Sequence, residues 1–393
     1  MDILMKPIYL DHHATTPLDP RVFTAMEPYF KERFGNASSA THPYGWQAAD
    51  AVDKARDQVA KLIGAKSKEI IFTSGATESN NLALFGVSKN IKNEPQHIIT
   101  TQVEHPSVLR TAEELQEQGV EVTYLPVTSQ GQIELSALEN SIKPHTKLIS
   151  VIFANNEIGT INPAKEIGAI AKKHGIIFHA DAAQAVGKVK IDVEALGIDL
   201  LSISAHKIYG PKGIGAIYIR SSNPRIKLKP QMFGASQERS IRPGTLNVPG
   251  IIGLGKACDI YELDMETEEF RLKALRDKLE FGLRQGIDNI TINGHPSERL
   301  SVNLNVSFAG VQHDMLLQNL AGLAVSSGAA CSSAAAKISH VLKAIGVSDE
   351  LARGTIRFAI GRFTTTEEIE RAVEIVTTAI KKCREASTFH MQR

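Results

Sequence analysis

Residues 176–181 read IIFHAD, residues 200–206 read LLSISAH and residues 214–220 read IGAIYIR. These runs are almost continuously apolar, which is typical of strands that a sheet buries on both faces. Comparable runs, such as EIIFTSG at 69–75, alternate with helical patterns, such as SVLRTAEELQEQG at 107–119. This alternation predicts an α/β layered domain.

The length of the chain predicts more than one domain. With 393 residues, it exceeds the size at which a single hydrophobic core stops growing. A charged helical pattern from about residue 255 to 287 can lead the chain out of the large domain, and the residues after it mix strands with helices. We expect a large domain over 16–260 and a smaller α+β domain formed by 1–15 and 261–393.

The composition is that of an ordinary soluble globular protein. The formal net charge of +1 gives no reason to expect nucleic acid or an anionic membrane as a partner. Cys258, Cys331 and Cys383 have no CxxC spacing, which disfavours both a disulfide framework and a zinc site. The N-terminal residues do not form a secretory signal, and no apolar run reaches the roughly 18 residues of a membrane span. We expect a cytoplasmic protein.

Lys207 follows the apolar run 200–206 and precedes a glycine-rich turn. One interpretation is a surface lysine that keeps its ammonium in water. The other is a lysine that forms a Schiff base in a partly dry pocket. Lys212 belongs to the same turn, so spacing alone does not decide.

Asp181 ends the run 176–181, at the carboxyl end of a strand, where α/β sheets bind their ligands. A buried carboxylate needs a cation, and a protonated pyridine nitrogen would be one. The alternative is a helix N-cap at the start of DAAQAVG.

The segment TSGATESNN, residues 73–81, opens a predicted helix. Free backbone N–H groups and the positive end of the helix make an anion site there. Plain helix capping by Ser74, Thr77 and Glu78 explains the same string, and the two interpretations are compatible.

Three further residues have both a structural and a chemical interpretation. His105 precedes a proline that starts a predicted helix, and a lone histidine is most often structural. Arg357 lies in the strand pattern GTIRFAIG, where an arginine usually faces solvent, but it can also bind a carboxylate through two hydrogen bonds. Cys331 lies in SSGAACSS, where small neighbours favour an accessible loop over a close-packed turn. We expect Cys258 and Cys383, in helical patterns, to be structural.

The segments DAAQAVGKVKID and DLLSISAHKIYGPKGIGAIYIR resemble the pyridoxal 5'-phosphate (PLP) site of the class V aminotransferase family. Together with IYLDHHATTPLDPRV, RPGTLNV, SSGAACSS and TIRFAIGRFTTTEEIE, they make the chain similar, nearly from end to end, to the cysteine desulfurases of the NifS/IscS type. This resemblance implies the aspartate-aminotransferase-like fold (PLP fold type I), with a three-layer domain around a mainly parallel sheet and a smaller α+β domain. It also implies a homodimer.

The resemblance further implies the residues of the site. Lys207 would bond the cofactor, Cys331 would carry sulfur, and His105 would stack on the ring and move protons. Asp181 would bind the pyridine nitrogen and Gln184 the phenolic oxygen. The cofactor-binding set implied is Ala76, Thr77, His105, Asn156, Asp181, Gln184, Ser204, His206, Lys207 and Thr245, with Thr245 reaching the phosphate in the neighbouring subunit. Asn156 and Arg357 would hold the substrate.

The implied reaction converts L-cysteine to L-alanine and leaves a persulfide on Cys331. The sulfur would pass to an iron–sulfur scaffold or another acceptor protein, for iron–sulfur cluster assembly and for thiolation of tRNA or cofactors. No resident metal is implied, and the one metal contact that the resemblance allows is Cys331 with a transferred iron–sulfur cluster. Selenocysteine lyase, an aminotransferase and a docking platform in a sulfur-transfer complex remain alternatives.

His12 and His13 depart from the residues that relatives often carry, and no role follows for them from the resemblance. Adjacent histidines in an extended segment point to opposite faces, which disfavours a shared metal.

Overall fold

The computed structural model describes residues 6–88, 94–327, 329–330 and 337–391. Over these residues the helices are α1 Pro20–Met26, α2 Pro28–Lys31, α3 Pro43–Leu62, α4 Ala76–Ser88, α5 Pro106–Glu117, α6 Leu135–Asn140, α7 Ala164–His174, α8 Val248–Gly286, α9 His313–Asn319, α10 His340–Ala344, α11 Asp349–Arg353 and α12 Thr366–Met391. The strands are β1 Ile8–Tyr9, β2 Ile70–Thr73, β3 His97–Thr101, β4 Glu121–Leu125, β5 Thr146–Ile152, β6 Ile177–Asp181, β7 Leu200–Ser204, β8 Gly215–Ile219, β9 Ile290–Asn293, β10 Asn303–Phe308, β11 Leu323–Ala324, β12 Ser326–Ser327, β13 Ala329–Ala330, β14 Lys337–Ile338 and β15 Thr355–Ala359.

The large sheet has, within the described residues, the strand order β2-β8-β7-β6-β5-β3-β4. The strands from β7 to β4 in this order pair parallel, and β8 runs antiparallel to both of its neighbours. Since β2 and β7 are both antiparallel to β8, β2 points the same way as the parallel strands. The carboxyl ends of six strands therefore meet at one edge of the sheet, which confirms the prediction of a mainly parallel sheet.

Both faces of this sheet are buried. Ile70 and Phe72 of β2 pack in the core that includes α3, α7 and α8, whereas Ile71 between them packs in a second core with α4 and α5. This alternation follows from the two-residue period of a strand, and burial stabilises each such side chain by roughly 1.5–3 kcal/mol. This confirms the layered α/β domain predicted from the continuous apolar runs and the three-layer domain that the resemblance implies.

The helix predicted from about residue 255 begins earlier, at Val248. Asn247 caps it by accepting a hydrogen bond from the Gly250 N–H, and Pro249 lies in its first turn. Its first turns contain Gly253 and Gly255, and a Cβ at Gly255 would lie 2.6 Å from the Ala55 Cα in α3. Glycine lowers helix propensity, so the sequence pattern does not predict the first turns of α8. Close packing against α3 requires the glycines there.

Four of the later strands form a second, antiparallel sheet in the order β12-β15-β10-β9. β1, from the N-terminal segment, pairs with β11, so residues near both ends of the chain meet. α8 runs without interruption past residue 260. The division into domains at 15/16 and 260/261 stays a prediction. None of the described helices is both long and apolar enough to cross a membrane.

Candidate active site

A cavity of about 640 Å³ opens at the edge where the strand carboxyl ends meet. The predicted site residues that line it are Ala76, Thr77, His105, Asn156, Asp181, Gln184, Ser204, His206, Lys207 and Arg357. These residues come from six separate segments of the chain, and the sheet brings them together.

Lys207 ends a single 3₁₀ turn that follows β7. Its Nζ donates hydrogen bonds to the backbone carbonyl oxygens of His13 and Ala14, the latter at 2.8 Å. Burial and the nearby Arg357 lower the pKa of Lys207 to about 8, against the opposing effect of Asp11 and Asp181. The amine is therefore available as a nucleophile or base near neutral pH, unlike that of a surface lysine.

Asp181 ends β6 and is 3% exposed. The Asn80 Nδ2 donates to its Oδ2 at 2.7 Å, and the Ala183 N–H donates to its Oδ1 at 3.1 Å. Residues 183–188 form turns and not a helix, so the alternative of a cap on a following helix is wrong, although the capping-type contact to Ala183 exists. Among the described residues, no cationic side chain forms an ion pair with this carboxylate. A buried carboxylate without a cation suits a ligand that brings a protonated nitrogen.

His105 is the N-cap of α5, as predicted from the following proline. Its Nδ1 accepts a hydrogen bond from the Ser107 N–H at 3.1 Å and lies 2.8 Å from the Ser107 Oγ. Burial lowers the pKa of His105, so the ring is neutral near pH 7. Because Nδ1 accepts, the proton of the neutral ring resides on Nε2, and His105 can donate a hydrogen bond there.

The loop before α4 has the features of an anion cradle. The Ser79 N–H donates to the Gly75 carbonyl, so the amides of Ala76 and Thr77 precede the first intrahelical hydrogen bond. Gly75 has φ +151°, and a Cβ at Gly215 would lie 2.6 Å from the Gly75 Cα, so the loop lies directly against β8. Glu78 accepts from the Ser74 N–H at 2.7 Å. The capping contact of Glu78 and the free amides therefore coexist, so the segment is compatible both with helix capping and with an anion site.

Gln184 and His206 also line the cavity, and each contacts the N-terminal segment. The Gln184 Oε1 lies 2.8 Å from the His13 Nδ1, and the Gln184 Nε2 donates to the His13 carbonyl at 2.9 Å. The His206 Nδ1 lies 3.1 Å from the Thr15 Oγ1, and burial lowers the pKa of His206 to about 4. Both side chains therefore present neutral groups to a ligand.

Arg357 is largely buried, unlike the solvent-facing arginine of an ordinary strand. Its Nη1 donates to the Asn156 carbonyl at 3.0 Å, and its Nη2 donates to the Asp11 Oδ1 and the Ser326 Oγ at 2.7 and 2.8 Å. The guanidinium borders both the main cavity and a neighbouring cavity of about 590 Å³. The guanidinium can therefore bind an anionic group that lies between the two cavities.

Thr245, predicted to bind the phosphate in the neighbouring subunit, does not line the cavity of its own chain. Thr245 is exposed in the loop before α8, and the neighbouring Arg242 pairs with Glu78 at 2.9 Å. Cys331 lies outside the described residues. Cys258 and Cys383 are buried, and burial raises the pKa of both thiols, in keeping with a structural role.

Three residues of the site carry no prediction from the sequence: Asn80, Asp11 and His13. Asn80 is buried in the largely apolar α4. A polar residue in an apolar helical pattern could have indicated a residue of the site. Asp11 pairs with Arg357 across 346 sequence positions, and no local pattern announces that pair.

The site as built suits PLP. One cavity is surrounded by an amine of lowered pKa, by a buried carboxylate that has no ion-pair partner among the described side chains, and by the amides of a helix N-terminus. These are the partners that the aldehyde, the ring nitrogen and the phosphate of that cofactor require.

Comparison with known proteins agrees with this assignment. The family model described as "Aminotransferase class-V" matches residues 8–372. The cysteine desulfurase IscS of Anaeromyxobacter dehalogenans is 48% identical over 384 residues, covering 98% of this chain and 95% of that protein. The mitochondrial cysteine desulfurase of Arabidopsis thaliana is 50% identical over 385 residues, covering 98% and 85%. A solved NifS-like protein superimposes with a TM-score of 0.89 at 36% identity, covering 95% of this chain and 99% of that one.

The match extends over nearly the whole chain, and the cavity has the partners that PLP needs. The chain therefore belongs to the PLP-dependent class-V aminotransferase family and, within it, to the cysteine desulfurases.

Proposed function

We propose that this protein converts L-cysteine to L-alanine and a persulfide on Cys331. The observation that carries the proposal is the meeting of Lys207, Asp181, His105 and Arg357 around one cavity. Bound PLP supplies an electron sink for the negative charge that develops at the substrate Cα.

The substrate carboxylate binds at Arg357, with Asn156 beside it. The guanidinium offers N–H groups at the border of the two cavities, and Asn156 also borders both. A two-pronged ion pair would orient the Cα–H bond toward the Lys207 amine.

Proton transfer rests on Lys207 and His105. With a pKa lowered to about 8, the Lys207 amine can accept the proton from the substrate Cα. Asp181 keeps the ring nitrogen protonated, Gln184 donates to the phenolic oxygen, and Ala76, Thr77, Ser204 and His206 hold the phosphate. His105 would stack on the ring and would offer its Nε2–H to the reacting groups.

The Cys331 thiolate attacks the substrate sulfur. A sulfur–sulfur bond forms, the substrate Cβ–sulfur bond breaks, and the released electron pair takes up a proton at Cβ. Lys207 returns a proton to Cα, which completes alanine. The persulfide sulfur then passes to a scaffold or other acceptor protein for iron–sulfur assembly or thiolation.

Two variants test this proposal. Cys331→Ser should abolish sulfide release from L-cysteine yet retain the visible absorption of bound PLP, whereas Cys258→Ala, at a buried thiol, should keep both. Lys207→Ala should lose that absorption band. Sulfide release by Cys331→Ser at the wild-type rate would contradict the role of Cys331. Amino transfer to a keto acid, retained in Cys331→Ser, would favour an aminotransferase instead.

We further propose a homodimer in which Thr245 reaches the phosphate in the neighbouring subunit. Thr245 is exposed and does not line the cavity of its own chain as described. Phe34 and Tyr44 stack 5.3 Å apart while remaining exposed, and Phe233 is 81% exposed. Exposed aromatic side chains are typical of protein–protein interfaces.

Mixing two inactive variants tests the dimer. Lys207→Ala and Thr245→Ala homodimers should each be impaired, and a mixed dimer should contain one intact site if Thr245 acts on the neighbouring subunit. Unchanged activity after subunit exchange would contradict that arrangement.

A cytoplasmic location, without nucleic-acid or membrane partners, is proposed on the near-neutral charge and sparse cysteines, and cell fractionation would test it.

A further inference from the structure

His13 is 1% exposed and lies behind Gln184, with two hydrogen bonds between the residues. One joins the His13 Nδ1 to the Gln184 Oε1 at 2.8 Å, and the other joins the Gln184 Nε2 to the His13 carbonyl oxygen at 2.9 Å. Two contacts on two different atoms define the orientation of the amide.

The direction of both hydrogen bonds follows from the carbonyl, which can only accept. The Gln184 atom beside it must be the amide nitrogen, so the other amide atom is the oxygen. The His13 Nδ1 therefore carries the proton that reaches Oε1, and the His13 Nε2 has none. No partner of Nε2 is found among the described residues.

The surroundings keep the ring neutral. Burial lowers the pKa of His13 well below its usual value, and the nearby cations Arg357, Lys188 and Lys207 lower it further, while the bond to Gln184 opposes them. A neutral ring preserves the Nδ1–H donor without adding a buried charge.

We infer that His13 is a positioning residue: its side chain and its carbonyl hold the Gln184 amide in one orientation and leave the second amide N–H for the phenolic oxygen of the cofactor. This inference rests on the proposed function of the cavity. It gives a role to a histidine that no motif explains. His12 contrasts with it, because His12 packs against Tyr9 and Gly361, and no hydrogen bond joins it to Gln184 in the part of the chain that the structure describes.

The first test is a pH titration of the visible absorption of the PLP-loaded protein. A donor to the phenolic oxygen favours its ionised form, so weakening that donor should raise the midpoint. We expect His13→Leu, which lacks a donor, to raise the midpoint by roughly 0.4 to 1 pH unit, the value of one neutral hydrogen bond. His13→Asn keeps a donor and should restore the wild-type midpoint, and His12→Leu, the matched control, should leave it unchanged. An unshifted midpoint in His13→Leu, or an equal shift in His12→Leu, would overturn the inference.

The second test needs no cofactor. In cofactor-free protein with ¹⁵N-labelled histidine, the His13 resonances, assigned by their loss in His13→Asn, should show a protonated Nδ1 and a bare Nε2 throughout about pH 5–8. A protonated Nε2 or a titration in that range would overturn the inference. A chain that binds no PLP but shows this tautomer would refute the proposed function and leave the clamp on Gln184 intact.

Discussion

The Arg357 Nη2 lies 2.7 Å from the Asp11 Oδ1, so the arginine proposed for the substrate carboxylate already has a carboxylate partner in the protein. Ser326 and the Asn156 carbonyl hold the same guanidinium. Asp11 therefore both orients Arg357 and competes with the substrate for its charge.

This relationship makes a paired prediction. Arg357→Lys should raise the KM for L-cysteine about 10- to 100-fold with a smaller change in kcat, because an ammonium cannot form the two-pronged contact. Asp11→Asn keeps the Oδ1 acceptor and removes the charge, so KM should fall by about two- to fivefold, as for a partly exposed ion pair. Steady-state kinetics measure both. A rise in KM in Asp11→Asn would mean that its charge orients Arg357 more than it competes.

Asp181→Asn should retain bound PLP, seen by its visible absorption, and lose about 10²- to 10⁴-fold in kcat, since the charge that keeps the ring nitrogen protonated is gone. Asn80→Ala removes one hydrogen bond and leaves the carboxylate, so it should cost only about tenfold. Equal losses in the two variants would mean that the charge of Asp181 matters no more than its position.

Glu104 predicts a pH dependence of stability. Burial raises the pKa of this carboxyl to about 8; the Thr101 hydroxyl and the Ile152 N–H, which donate to its Oε1, oppose the shift. The folded state holds the proton more tightly than the unfolded state, so this contribution to stability is present at low pH and is lost as pH rises from about 4.5 through 8. Glu104→Gln should flatten the fall in the urea midpoint between about pH 5 and 9. Parallel profiles for the two proteins would contradict this.

Lys207 of the cofactor-free protein should be acylated near neutral pH more readily than lysines of ordinary pKa. Its reactivity, followed by mass spectrometry after brief labelling, should rise with a midpoint near pH 8, against about 10.4 for ordinary lysines. Arg357→Leu removes a cation that lowers this pKa and should move the midpoint upward. A midpoint at the ordinary value in the wild-type protein would show that the cavity does not activate the amine.

Local patterns were sufficient for most of the fold. Gly175, with φ +64°, ends α7, a position at which glycine commonly ends a helix, and Pro106 begins α5 directly after His105. The start of α8 was missed because Gly253 and Gly255 serve contacts with other elements rather than helix propensity. Where a residue is required by its contact with a distant part of the chain, the local sequence pattern can predict the wrong structure for it.

The same distinction applies to the site. The apolar runs that end in Asp181 and precede Lys207 place both residues at the sheet edge, because a strand that is buried on both faces delivers its next residue there. Their chemical roles followed from the family resemblance and not from these runs. Their electrostatic state came from folding: Asn80 reaches Asp181 across 101 positions, and Arg357 and burial together lower the pKa of Lys207. Hydrogen bonds and desolvation act through space between residues far apart in the chain, so the tautomer of His105, the clamp of His13 on Gln184 and the pairing of Arg357 with Asp11 exist only once the layers have packed.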